Sequence, residues 1–433
     1  MLLTSPALEL EIVAVELDAD VAASLRETLA DVERVLRNAG RQIATQVVIG
    51  DYIELTTGGF MREPVLDEPF DLVIMNPPYR KLPSASRYRH ALARLGADCP
   101  NLYAAFLALG CKALDEGGQL VAITPRSFAN GPYFGQFRRF LLDRLALDRI
   151  HVFESRSTVF SDTGVLQENV VFSGTCGGKR EKVKLSASRG HTDDPLERVV
   201  DYGDVVRPGD THRFIRILAG EGDTAVAETM AALPAMLADL QVQVSTGRVV
   251  DFRSRPSLTE QQETNGFPLV YPGNLRGGVI EWPRQIRKAQ GFSPRSESDQ
   301  KLLMPAGFYV VVKRFSAKEE RRRVVAAVWD PGLTEAAAVA FENHLNVFHA
   351  QGAGLDRDLA VGLSYWLNSS IADTFFRTFS GHTQVNATDL RTLRFPTASA
   401  LRTLGHGREA LLPSQTEIDR LTTDVLGVRG VAA

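Results

Sequence analysis

The run Phe70-Asp71-Leu72-Val73-Ile74-Met75-Asn76-Pro77-Pro78-Tyr79 sets the tightest limits on the fold. Leu72 to Met75 is short and apolar, which predicts a buried strand. Pro77 and Pro78 stop that strand, because neither can donate to a ladder and each restricts the residue before it. Asn76 and Tyr79 are thereby held just beyond a strand's carboxyl end. Open α/β sheets bind their ligands there.

These side chains suit one kind of chemistry. An exocyclic base amine is a poor nucleophile, since its lone pair is delocalised into the ring. The Asn76 side-chain oxygen and the Pro77 carbonyl can both accept its N–H bonds and favour a pyramidal nitrogen. Tyr79 offers an aromatic face for the base. Such catalysis works by positioning and electrostatics and needs no strong base. The plain alternative is a strand followed by a turn. Asn-Pro-Pro-Tyr after an apolar strand resembles the catalytic motif of amino-group methyltransferases that use S-adenosylmethionine. These include N6-adenine DNA methyltransferases and enzymes that methylate protein glutamine side chains.

Strand and helix patterns alternate from Glu11 to about Ser173, which predicts a doubly wound α/β domain. Glu11 to Asp18 predicts a strand ending in acids. A helix follows with Val21, Leu25, Leu29, Val32 and Leu36 on one face. A carboxylate at such a strand end can accept from both ribose hydroxyls, so Glu16, with Asp18 second, is a cofactor candidate; helix capping is the alternative. Thr45 to Ile49 predicts the next strand. Asp51 behind it can take an adenine amine, with Tyr52 or Ile53 against the ring; a turn-forming Asp is the bland reading. Arg80 to Pro100 is basic and predicted irregular, and Arg80 and Lys81 can touch phosphates. A helix from Asn101 to Leu114, a strand from Gln119 to Pro125, a helix from Phe134 to Leu147, and strands Ile150–Glu154 and Val165–Phe172 complete the pattern.

The resemblance extends over residues 8–175. Asn101-Leu102-Tyr103…Phe106, Thr124-Pro125, Phe160 and Leu166-Gln167-Glu168-Asn169-Val170 recur in gamma-class N6-adenine methyltransferases of Type II restriction–modification systems. It implies a mixed seven-stranded sheet with a terminal antiparallel hairpin. It implies Asn76, Pro77, Pro78 and Tyr79 as the catalytic segment and S-adenosyl-L-methionine as cofactor. That cofactor would meet Glu16, Asp18, Asp51, Tyr52 and Asn76, while Phe160 holds the flipped base opposite Tyr79. One family feature has no counterpart. A loop of the type Asp-Pro-x-x-Gly-x-Gly should precede the Glu16 strand, yet the ten residues before Glu11 contain no glycine. Gln351-Gly352-Ala353-Gly354-Leu355 follows no strand pattern and predicts a loop. The expectation is a Rossmann-like sheet incomplete at its amino end, through truncation, a misassigned start or a complementing amino-terminal subunit.

Residues 186–240 are polar and broken and predict a connector after a domain at 1–185, with a helix from Ala225 to Leu240. From about Val244, short β-like runs alternate with Gly and Pro, predicting a mixed α+β target-recognition domain over 241–400 and a helical tail over 401–433. Net charge is −3, so attraction to nucleic acid must be local. Arg284, Arg287 and Lys288 form one basic cluster, and Lys313, Arg314, Lys318, Arg321, Arg322 and Arg323 another. Lys313, Arg314, Arg321 and Arg322 are phosphate candidates. Gln384 and Asn386 are base-contact candidates, with loop capping as their alternative. The succession from Leu363 to Pro396 is similar to the end of target-recognition domains in restriction–modification methyltransferases. Double-stranded DNA is therefore the expected partner, with a cognate restriction endonuclease alongside.

Cys99, Cys111 and Cys176 lie far apart, without metal-ligand or disulfide spacing, which favours a reducing cytoplasm. No metal site, membrane span or signal peptide is expected, and no endonuclease constellation of paired acids with a lysine is visible. Methylation of protein glutamine or RNA, and an inactive DNA-binding remnant, are the alternative functions.

Overall fold

A computed structural model describes residues 9–58, 62–153, 169–188, 194–218, 222–260, 266–316, 320–380 and 384–426. The chain divides into two compact units, Met1–Ile215 and Arg216–Ala433. The 1–185 boundary and the 186–240 connector are therefore corrected. Strands β7 (Lys182–Ser188) and β8 (Leu196–Asp201) continue the first unit's sheet past residue 185.

In the first unit, β1 (Glu9–Glu16) and β2 (Gln42–Ile49) pair in parallel, Glu16 opposite Ile49. Helix α1 (Ala19–Asn38) connects them. Asp18 caps it by accepting from the Asp20 and Val21 amides, and Ala22, Leu29 and Leu36 form its buried stripe. These two strands form a sheet of their own. The other sheet runs β3-β4-β6-β5-β7-β8, built from β3 (Phe70–Met75), β4 (Leu114–Pro125), β5 (Leu145–Phe153), β6 (Asn169–Cys176), β7 and β8. Strand β3 pairs in parallel with β4, and β6 lies antiparallel between β4 and β5. The single mixed seven-stranded sheet is thus corrected to two strands plus six among the described residues.

Strand β3 is not buried as its composition predicts. Leu72 is 40% and Ile74 61% exposed, because among the described residues β3 is an edge strand with β4 on one side only. Its other face meets helix α4 (Leu102–Ala113), where a Cβ on Gly110 would sit 2.6 Å from Met75 Cε and 3.2 Å from Val73 Cγ1. Three element boundaries also differ. Arg87–Arg94 is a helix, α3, inside the stretch expected to be irregular. Helix α5 (Gly135–Arg144) ends short of the expected Leu147, because Leu145, Ala146 and Leu147 are already fully buried strand. Strand β4 begins at Leu114, directly after α4.

The second unit holds a five-stranded and a six-stranded sheet with several helices, a mixed α+β arrangement. Tyr309–Lys313 and Leu345–His349 are central antiparallel neighbours in the larger sheet, and Trp329, Tyr309 and Phe341 fill its core. The helix expected over Ala225–Leu240 is Asp223–Ala232. Residue 401 is not a boundary. Helix Ala398–Gly405 lies against helix Arg357–Leu367, so close that a Cβ on Gly362 would fall 1.8 Å from the Leu401 carbonyl oxygen. Among the described residues no helix is long and apolar enough to cross a membrane.

Candidate active site

Asn76 and Tyr79 follow the last residue of β3, and Pro77 between them is buried. The buried proline anchors the corner and leaves Asn76 exposed and Tyr79 half-buried. The Tyr79 hydroxyl donates to Asn76 Oδ1 at 3.3 Å. An amide oxygen has two lone pairs, so this bond leaves capacity for an incoming N–H. Burial raises the Tyr79 pKa, which keeps the phenol a neutral donor.

Behind Tyr79 stands a row of aromatics. Tyr103 on α4 meets the Tyr79 ring edge-on at 6.2 Å and 88°. Phe134 stacks on Tyr103 at 5.6 Å. The Tyr103 hydroxyl shares a 2.8 Å hydrogen bond with Ser127 Oγ, in the turn that follows β4. The segment after Tyr79 is tied down too, since the Leu102 amide donates to the Arg80 carbonyl and the Leu82 amide to the Pro100 carbonyl. Asn101 caps α4 by accepting from the Ala104 amide. Tyr103 and Ser127 carry this support, and sequence reasoning assigned them no role. Tyr103 lies in an apolar helix where it resembles ordinary core, and only its hydroxyl hinted at a polar partner.

The cofactor candidates occupy the carboxyl ends of β1 and β2. Glu16 Oε1 accepts from the Leu17 and Asp18 amides at 2.8 and 2.9 Å, while Oε2 has no partner among the described residues. That fixed carboxylate with a free oxygen fits a ribose diol. Asp18 is occupied as the α1 cap. Asp51 caps the short helix α2 (Tyr52–Thr57) through Oδ1, and its Oδ2 accepts the Tyr88 hydroxyl at 2.8 Å. Asp18 thus does the capping work of its plain alternative, and Asp51 caps a helix where its plain alternative was a turn. The Tyr52 ring packs on Phe106 at 5.0 Å, and burial raises its pKa. Tyr88, on the helix that the sequence reading missed, and Phe106, on α4, bring the β2 terminus toward the elements that frame Asn76. Phe160 lies outside the described residues.

The basic candidates divide. Arg80, Lys81 and Arg321 are exposed, Lys313 is half-buried, and their side chains form no ion pair among the described residues. Arg322 instead donates to the Asn368 carbonyl and to Gln415, and burial lowers its pKa; it is an internal tie of the second unit. Arg314 donates to the Asn343 carbonyl at 3.2 Å. Asn386 caps helix Ala387–Arg391 together with Asp389, and Gln384 bridges Phe315 through the backbone. No group of three or more His, Cys, Asp or Glu residues that could hold a metal occurs among the described residues.

Residues 33–160 match the Eco57I restriction-modification methylase family. The chain is 40% identical over 383 residues to the Type II methyltransferase M.PstI of Providencia stuartii, covering 88% of this chain and 75% of that protein. It is 41% identical over 398 residues to the Type II methyltransferase M.BsuBI of Bacillus subtilis, covering 90% and 77%. A solved fold similar to it is that of the Type IIL restriction–modification enzyme MmeI, in complex with DNA, with a TM-score of 0.59 at 11% identity over 97% of this chain and 64% of that one. The identities to M.PstI and M.BsuBI run through both units, and on that ground the chain belongs to the Type II methyltransferases of restriction–modification systems.

Proposed function

We propose that this DNA methyltransferase acts on the N6 amine of an adenine turned out of duplex DNA, with S-adenosyl-L-methionine as donor. The observation that carries the reading is the Asn76–Tyr79 pair, an amide oxygen and a phenol ring held at a Pro-Pro corner beyond a strand end. S-adenosyl-L-methionine, when bound, supplies an electrophilic methyl group. Glu16 would hold its ribose through the free carboxylate oxygen. Asn76 Oδ1 and the Pro77 carbonyl would accept the two N–H bonds of the amine and hold its lone pair out of the ring plane. Tyr79, backed by Tyr103, would stack on the base and exclude water. Turning out the base costs a few kcal/mol, which that stacking offsets in part. Arg80, Lys81, Lys313 and Arg321 supply exposed or half-exposed positive charge for phosphates.

The test is product identity. Duplex DNA is incubated with methyl-labelled donor and the chain, alone and with the parts of M.PstI outside the match, then digested to nucleosides. Label in N6-methyl-2′-deoxyadenosine is expected. Label in a modified cytosine overturns the base assignment, and label in protein or RNA overturns the substrate class.

A further inference from the structure

We infer that His344 offers its Nε2–H to a phosphate of duplex DNA, and does so only when the pair it forms with the buried Glu342 side chain holds two protons.

Glu342, Asn343 and His344 form the turn between strands Ala338–Phe341 and Leu345–His349 of the second unit. Neighbouring segments hold this turn in place. The Glu342 amide donates to the Val270 carbonyl, the Asn343 amide to the Val249 carbonyl, and the Arg314 amide to the His344 carbonyl. A Cβ on Gly247 would sit 2.1 Å from the Glu342 carbonyl oxygen, so the backbone packs closely there. The Glu342 side chain is 2% exposed and that of His344 50%. Glu342 Oε2 accepts from the His344 amide at 2.9 Å, and Oε1 lies 2.5 Å from His344 Nδ1. The exposed Phe315 ring lies 5.0 Å from the imidazole.

A neutral side chain could close this turn through the bond to the His344 amide alone. A buried carboxylate is costly unless it is paired, and burial raises the Glu342 pKa. Asp251 is the other acid that faces Glu342 and adds to that rise, and Tyr271 lies beside both. Lys288 pairs with Asp251, and Arg314 donates to the Asn343 carbonyl. His344 is therefore the ionisable group bonded to Glu342 itself. Two acceptors cannot face one another at 2.5 Å, so one proton lies between Oε1 and Nδ1. Nε2 then carries a proton only when the pair holds a second one, whichever atom keeps the first. With one proton the pair is a net anion and Nε2 is an acceptor, and a phosphate repels both. With two protons the pair is neutral and Nε2 is a donor. Nε2 has no hydrogen-bond partner among the described residues. Lys313 and Arg314 precede Phe315 and add positive charge, and the Phe315 ring can lie on the adjoining sugar.

This contact rests on duplex DNA as substrate and not on which base is methylated. Affinity of the 433-residue chain for a random-sequence duplex is measured from about pH 6 to about pH 8, the range in which histidines titrate. Across that range the wild-type chain should weaken about tenfold more than His344→Ala, the loss of one hydrogen bond between charged groups. Glu342→Gln separates the proton from the turn. Its amide oxygen can keep the bond to the His344 amide while its NH₂ donates to Nδ1, which puts the single imidazole proton on Nε2. This variant should bind at the upper end of the range as tightly as the wild type does at the lower end, with a flatter profile. Binding heats in two buffers of unlike ionisation heat should show more proton uptake in the wild type than in either variant. A chain that binds no duplex DNA overturns the substrate reading and the contact with it. A wild-type pH profile that His344→Ala leaves unchanged, or a Glu342→Gln profile parallel to that of the wild type, overturns the contact alone.

Discussion

Asn76 and Tyr79 share one hydrogen bond, and in the proposed reaction they divide one task. Removing the amide oxygen would there leave the target amine without an acceptor, a loss of the size seen for oxyanion-type groups. Asn76→Ala should lower kcat at least about a hundredfold while leaving the Kd for DNA within about threefold. Tyr79→Phe keeps the ring and loses only the bond to Asn76 Oδ1, roughly 1 kcal/mol and about a fivefold effect on kcat. Tyr79→Ala also loses stacking, about 1–3 kcal/mol more. Single-turnover methylation on duplex DNA separates the three, and an Asn76→Ala enzyme that still turns over removes the amide from the mechanism. The motif was legible because prolines act locally: they fix φ wherever they fall, so the corner needs no tertiary context. The roles of Asp18, Asp51, Arg314 and Arg322 were not legible. A carboxylate at a strand end and a guanidinium in a basic run look the same whether they face a ligand or cap a helix. Only the partners, such as Tyr88 on Asp51, tell them apart.

At the level of elements, α3 was missed because it is short and half of its residues are Arg or His, with Leu92 as its one buried residue. It is held from outside. Arg89 grips Asp98 with two bonds of 2.6 and 2.9 Å, and Arg87 pairs with Glu54 across to α2. The Arg89 guanidinium holds the Asp98 carboxyl below its ordinary range. A depressed carboxylate stabilises fully above its unfolded value, about 3.9, and that contribution is lost as pH falls through the folded value. The pair is partly exposed, so its worth is under about 1 kcal/mol. Asp98→Asn should therefore lower the urea midpoint slightly at pH 7 and by less at pH 2.5. Equal shifts at both pH values, read by fluorescence-detected unfolding, would show that the ion pair is not what holds α3. Helix α5 teaches the converse. Leu145–Leu147 continues a helical apolar pattern, yet pairing with β6 turns it into strand, since periodicity in short apolar runs does not separate the two.

Across the whole molecule, the proposed cofactor site draws on two separate sheets of the first unit, β1-β2 and the six-stranded sheet that begins at β3. The chain by itself is expected to bind S-adenosyl-L-methionine more weakly than micromolar, because among the described residues no strand hydrogen-bonds to both β1, which ends at Glu16, and β3, which Asn76 follows. Calorimetric titration checks this. Micromolar affinity of the chain alone would mean that the cofactor site is already formed. The alternation of strand and helix and the Pro-Pro corner were both set by residues close in sequence, so the amino-acid sequence determined the fold class and the place of the candidate chemistry by itself. The tertiary structure alone decided where the sheet stops, that β7 and β8 belong to it, that β3 is an edge, and which charges are spent on internal ties. Those outcomes depend on strand neighbours and side-chain partners far apart in the chain, and local propensity carries no record of them.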